Sequence, residues 1–130
     1  MNIGLGSRRR TILLIDPDPH ARAGLRNALE ANGFSVGEAA SSGEGLRTAL
    51  RIKPDAVLTD LMMETADAGG LIAAKLREKG GGIPVYIVST AMDALVGAVG
   101  LQELGISGVF LKPSDPAVIV QTLKTRLGAT

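Results

Sequence analysis

Short apolar runs, each closing on a polar residue and each followed by a stretch with helical spacing, recur five times along this chain of 130 residues. Thr11-Ile12-Leu13-Leu14-Ile15 ends at Asp16, Ala56-Val57-Leu58-Thr59 ends at Asp60, Pro84 to Val88 leads into Ser89-Thr90, and Val109-Phe110-Leu111 leads into Lys112-Pro113. Phe34 to Glu38 forms a second, shorter run. The first, third and fourth runs are continuously apolar rather than alternating, the pattern of strands covered on both faces, as in parallel sheets with helices on either side. Right-handed crossovers then leave few topologies. The expected fold class is α/β: a doubly wound five-stranded parallel sheet, (βα) five times, in a three-layer sandwich.

The stretches between the runs carry helix signals. Asp18-Pro19 and Asp115-Pro116 each pair an N-cap acid with proline at the first helical position. The first helix would turn Ala21, Leu25, Ala28 and Leu29 inward and stop at Asn32-Gly33. Leu46, Ala49 and Leu50 mark a second helix, stopped near Pro54. Leu71, Ala74 and Lys75 begin a third, which ends at Gly80-Gly81-Gly82. Leu95, Val96 and Val99 indicate a fourth, and Val120, Leu123 and Leu127 face inward from the last.

Composition narrows the function. Phe34, Tyr86 and Phe110 are the only aromatic rings, so the core is aliphatic and a base-stacking platform for single-stranded nucleic acid is nearly excluded. The formal net charge of +1 gives no large field to draw the chain onto DNA or an anionic membrane. Arg8-Arg9-Arg10 is the one basic run, too short for a usual basic patch. Residues 1–10 read as a flexible leader, with their charge in the wrong order for a signal peptide. There are no cysteines, which excludes disulfides, thiolate metal sites and cysteine nucleophiles and suits a cytoplasmic setting. No apolar run approaches the roughly 18 residues of a membrane span.

In an open parallel sheet, ligands bind beyond the carboxyl ends of the strands. That rule gathers Asp16, Asp60, Ser89-Thr90 and Lys112 on one rim. Close carboxylates repel unless a cation sits nearby, a need met by Lys112 and by a hard divalent ion such as Mg²⁺. A carboxylate flanked by lysine, a hydroxyl and Mg²⁺ is suited to accepting a phosphoryl group, with the carboxylate as nucleophile.

Ile12-Leu13-Leu14-Ile15-Asp16, Asp55-Ala56-Val57-Leu58-Thr59-Asp60-Leu61-Met62-Met63, Ile83-Pro84-Val85, Ser89 and Gly105-Ile106-Ser107-Gly108-Val109-Phe110-Leu111-Lys112-Pro113 resemble the receiver domains of bacterial two-component response regulators, over residues 11–127. The resemblance implies a flavodoxin-like sheet in the order 2-1-3-4-5 and a receiver domain over residues 11–130. It implies Asp60 as phosphoacceptor, Ser89 as switch hydroxyl, and Lys112 on the phosphoryl group before a cis Lys112–Pro113 bond. Mg²⁺ would be held by Asp16, Asp60 and the Met62 backbone carbonyl. The implied partners are a sensor histidine kinase or histidine phosphotransfer protein and a downstream effector protein. No direct contact with nucleic acid or membrane is expected. A homodimer would form through the fourth predicted helix, the fifth strand and the last helix.

The chain departs from the family pattern. Pro17 stands where the family has a second acid, a direct Mg²⁺ ligand, so metal affinity should be weak. Asp18 is either a substitute ligand or the helix N-cap. Glu64 replaces a usual proline, and Glu64 and Asp67 either supply a carboxylate or are solvated loop charges. Thr90 stands where a small residue is usual and would restrict access to Asp60. Val109 replaces the switch aromatic, and Phe110, on the other face of its strand, reads as core. Gly97 and Gly100 mark the fourth helix as either closely packed or loosely held. These departures keep open a phosphorylation-independent pseudo-receiver acting as a protein-interaction module. A carboxylate-nucleophile phosphohydrolase is a weaker alternative, because His20 is the only histidine and no cap segment is present. The chain is expected to be a signalling switch and not an enzyme.

Overall fold

The computed structural model describes residues 9–61, 63, 68–79, 82–90 and 105–128. Met62, Glu64, Asp67 and the helix expected around Leu95, Val96 and Val99, with Gly97 and Gly100, lie outside the described residues. Five parallel strands, β1 (Thr11–Ile15), β2 (Ser35–Ala39), β3 (Ala56–Asp60), β4 (Val85–Thr90) and β5 (Gly108–Lys112), stand in the order β2-β1-β3-β4-β5. Among the described residues four helices accompany them: α1 (Pro19–Ala31), α2 (Ser42–Ile52), α3 (Ala68–Glu78) and the C-terminal α4 (Pro116–Leu127). None of these is long and apolar enough to cross a membrane.

The pleat of β1 explains the three layers. Ile12 and Leu14 face one side, with Leu29 of α1, Phe34, Leu58, Tyr86, Val88 and Ile119, Val120 and Leu123 of α4. Leu13 and Ile15 face the other, with Ala49 of α2, Val57, Val85 and Ile72, Ala73 and Leu76 of α3. A strand with apolar residues at every position therefore feeds two separate cores. α3 begins earlier than Leu71, and Leu71 itself is exposed. Phe110 packs against the α1–α4 core and stacks on Tyr86 with ring centroids 5.5 Å apart.

Helix starts follow the acids and hydroxyls that precede them. Asp18 and Asp115 each accept a backbone N–H, from His20 and Ala117, at 2.9 Å ahead of a proline. The start of α2 is held reciprocally: Ser41 Oγ accepts from Glu44 N at 3.2 Å, and Glu44 Oε1 accepts from Ala40 N at 2.6 Å. One orphan donor of the first turn is thereby satisfied, and the residue before the cap is tied back to the helix. The second strand begins one residue later than the sequence suggests. Gly33, at φ +92°, turns the chain out of α1, and Phe34 donates back to Leu29 O, so its ring enters the core before the ladder starts.

α2 lies so close to β1 that a Cβ on Gly45 would sit 2.5 Å from Ile15 Cδ1. Gly45→Ala should destabilise the fold by about 1–3 kcal/mol in urea denaturation, the usual range for overpacking. Gly24→Ala, with nothing within 4 Å of the added methyl, should instead stabilise α1 by about 0.5–1 kcal/mol through helix propensity. Equal effects of the two substitutions would contradict the close approach.

Candidate functional site

Three strand ends bring charge together at the carboxyl edge of the sheet. Asp16 follows β1 and continues its ladder by donating its N–H to Ala39 O at 3.0 Å. Asp60 closes β3 and Lys112 closes β5. The Lys112 ammonium lies 3.5 Å from Asp16 Oδ2 and 3.6 Å from Asp60 Oδ2. Both carboxylates are largely buried, with side chains 13% and 14% exposed, and Lys112 keeps 32% of its side-chain surface. The Lys112–Pro113 peptide bond is cis.

Asp16 is further pinned by its own loop, because Oδ1 accepts from Asp18 N at 2.8 Å. Asp60 opens onto a cleft lined also by Asp16, Arg22, Thr59 and Val88. Burial raises the Asp60 pKa above the ordinary aspartate value; the Lys112 charge and a hydrogen bond from Leu61 N–H pull against this, and the Asp16 charge adds to it.

Ser89 is placed differently. It follows Val88, the register partner of Asp60, on the adjacent strand. The β4 pleat sends it to the side of Val85, away from the side that Asp60 shares with Leu58. Its hydroxyl is fully buried and has no hydrogen-bond partner among the described residues. A buried hydroxyl left without a partner costs about 1–3 kcal/mol, and no described residue supplies one to Ser89. Thr90 is exposed and pairs in the ladder with Lys112. Val109 is 41% exposed and offers no aromatic ring.

Arg22 belongs to the site although no motif marks it. Its Nη1 donates to the Asp16 carbonyl, and its Nε donates to Glu38 Oε1 at 2.8 Å, while Arg26 binds the other oxygen of Glu38. These two arginines hold the Glu38 carboxyl below the usual glutamate range, Arg26 having the larger effect. The i, i+4 spacing of Arg22 and Arg26 is visible in the sequence. Their partner is not, because Glu38 comes alongside only once β2 takes the edge next to β1.

Among the described residues no three His, Cys, Asp or Glu side chains gather into a group able to hold a metal ion. Asp18, exposed and engaged as the α1 cap, stays out of the cleft. The donor set is therefore Asp16 and Asp60, two carboxylates already facing one ammonium. That set fits Mg²⁺ only in its sparse mode, with one or two protein carboxylates and the rest of the shell from water and phosphate.

The profile of the response regulator receiver domain family matches residues 12–124. The chain belongs to that family. This receiver domain is 32% identical over its whole length to the transcriptional regulatory protein PrrA of Mycobacterium leprae, of which it covers 55%. It is 34% identical over 89% of its length to the transcriptional regulatory protein GlrR of Escherichia coli, of which it covers 26%. The chain thus spans about half, or less, of the length of these curated relatives. Among solved structures, a two-component response regulator of the LuxR family from Aurantimonas sp. is 31% identical, with a TM-score of 0.80 over 93% of this chain and 86% of that one. A CheY-like receiver domain from Methanospirillum hungatei superposes with a TM-score of 0.83 over 93% of this chain and 95% of that one, at 22% identity, a likeness of fold.

A carboxyl whose pKa is raised on folding favours the folded state while protonated, and that contribution is lost as pH rises through its native pKa. Asp60→Asn should therefore raise the melting temperature of this receiver at pH 7. The gain should shrink as pH falls below the ordinary aspartate range, where Asp60 is neutral in both states. Thermal melts at the two pH values check this, and a lowered melting temperature at pH 7 would contradict it.

Proposed function

We propose that this receiver accepts a phosphoryl group on Asp60 from the phosphohistidine of a sensor histidine kinase or histidine phosphotransfer protein, and relays the change to a downstream effector protein. The observation that carries this reading is the Lys112 ammonium set between the Asp16 and Asp60 carboxylates on one rim. An Asp60 carboxylate oxygen attacks phosphorus, the P–N bond to the donor imidazole breaks, and the imidazole leaves with the bonding pair. Lys112, already at the rim, neutralises the incoming oxygens. The raised basicity of Asp60 strengthens it as a nucleophile. Asp16, Asp60 and the Met62 carbonyl would hold Mg²⁺, which would supply further charge neutralisation. Ser89 is the switch hydroxyl of this reading, and its side chain must leave the Val85 side of the sheet to reach the phosphoryl group.

The output surface follows from what lies exposed beside Lys112. Val109 and Leu111 on β5 and Val118 on α4 are 41%, 52% and 54% exposed. Aliphatic side chains at this edge suit a protein partner or a second copy of the receiver. The domain proper runs over residues 11–130, and its setting is cytoplasmic.

A pseudo-receiver that works without phosphate is the second reading. It is favoured by Pro17 in place of a second acid and by Val109 in place of the switch aromatic. Intact-mass measurement after incubation with acetyl phosphate and Mg²⁺ separates the two. The first reading requires a single phosphate adduct that disappears in Asp60→Asn. No adduct at high donor and metal, from folded protein, establishes the second. In a Mg²⁺ titration followed by amide NMR, Pro17→Asp should tighten binding by about tenfold or more by adding a third carboxylate. An unchanged affinity would remove Pro17 as the cause of weak binding.

A further inference from the structure

β1 stands between β2 and β3, and Asp16 extends its ladder to β2 by donating to Ala39 O. In a parallel ladder, the residue that donates to one carbonyl accepts from the N–H two places further along the same neighbour. For Asp16 that donor would be Ser41 N. β2 ends at Ala39, and Ser41 is the N-cap of α2, already turned out of the ladder. The Asp16 carbonyl is met instead by a side chain, Arg22 Nη1 of α1. The next residue, Pro17, has no N–H with which to tie this loop down.

Arg22 is itself held. Its Nε donates to Glu38 Oε1 at 2.8 Å, and Glu38 lies on β2 as the register partner of Leu14. A planar guanidinium serves both acceptors at once, which a single ammonium does less well. The Arg22 side chain is 16% exposed and lines the cleft with Asp16 and Asp60. Arg26 binds the other oxygen of Glu38 and also Glu30, but its side chain is 41% exposed and its hydrogen bonds stop at those two carboxylates. Two arginines thus share one carboxylate, and Arg22 is the one that passes this anchor on to the rim.

We infer that Arg22 is a positioning residue for the phosphoacceptor site: anchored by Glu38, it fixes through the Asp16 carbonyl where the Asp16 carboxylate stands against Lys112. Its effect on phosphoryl transfer rests on the reading of Asp60 as phosphoacceptor; the positioning itself does not. The route is short. Asp16 Oδ1 is bound to Asp18 N within the same loop, so a carbonyl released from Arg22 lets loop and carboxylate move together. Asp16 Oδ2 then leaves its place 3.5 Å from Lys112 Nζ, and the ammonium is no longer held between two carboxylates. In a site that works by orientation and charge, a misplacement of about 1 Å costs up to about a hundredfold in rate.

The test compares the full chain with Arg22→Gln, Glu38→Gln, their double variant and Arg26→Gln, with folding checked by thermal melts. Two signals are read. One is the NMR resonances of the Asp16 carboxyl carbon and the Lys112 ε-methylene, without Mg²⁺ or phosphodonor. The other is the rate of phosphate adduct formation with acetyl phosphate and Mg²⁺, followed by intact mass. In Arg22→Gln both resonances should move and the rate should fall by about tenfold or more. Glu38→Gln should act in the same direction, and should add less than about twofold to Arg22→Gln because it reaches the rim through that arginine. Arg26→Gln, which removes an equal charge from the same carboxylate, should leave both resonances in place and change the rate less than about twofold. If Arg22→Gln does not fold, Arg22→Lys takes its place, keeping the charge without the fork, and should move the same resonances. Unmoved resonances in a folded Arg22 variant, or a rate no lower than that of Arg26→Gln, overturn the inference. A wild type that takes no phosphate overturns the reading of Asp60 alone, and the two resonances then decide the inference by themselves.

Discussion

One ammonium holds the functional rim together. β1 and β5 are separated in the sheet by β3 and β4, a span of roughly 14 Å at the usual strand spacing. Lys112 is long enough to reach across β4 to Asp60 and Asp16, whereas a short side chain at that place would leave two largely buried carboxylates facing each other. Their mutual repulsion and desolvation would push one of them to neutrality. The strand order is therefore an electrostatic requirement of the site as well as a consequence of crossover handedness. The core beneath serves to keep three strand ends in register so that this bridge can form.

That register depends on two aliphatic cores divided by the sheet. Ile12 and Leu14 look toward α1 and α4, while Leu13 and Ile15 look toward α2 and α3. With so few aromatic rings, close packing is reached through methyl contacts and through absence of side chain, as where α2 lies against Ile15 at Gly45. Arg22 ties the cleft to this framework, grasping the Asp16 carbonyl on one side and Glu38 of β2 on the other. Asp16 is consequently fixed by its backbone, by the Asp18 N–H and by Lys112, which makes it a rigid neighbour for Asp60.

Much of this was legible from residue order. Continuous apolar runs marked buried parallel strands, Asp-Pro pairs marked two helix starts, and the polar residues closing the runs marked the rim. What was not legible depends on neighbours that only the assembled sheet supplies. The pairing of Arg22 and Arg26 with Glu38 needs β2 beside β1. The strand-four pleat sets Ser89 on the Val85 side of the sheet, where no described residue meets its hydroxyl. Phe34 has the look of a strand residue but enters the core from the turn, because Gly33 redirects the chain first. Pro17 showed in the sequence that an acid was missing. Only the structure shows that Asp18 is spent on the helix cap and does not take its place.

The receiver thus carries a carboxylate pair bridged by lysine at one edge of the sheet. The central claim concerns that bridge. It is tested by following the Asp60 carboxyl carbon through a pH titration by NMR in the wild type and in Lys112→Met. With the ammonium removed, burial and the Asp16 charge act unopposed by it, and the Asp60 pKa should rise further above the ordinary aspartate value. An Asp60 titration that is the same in both proteins would show that Lys112 does not bridge the carboxylates, and the account of the rim would fail.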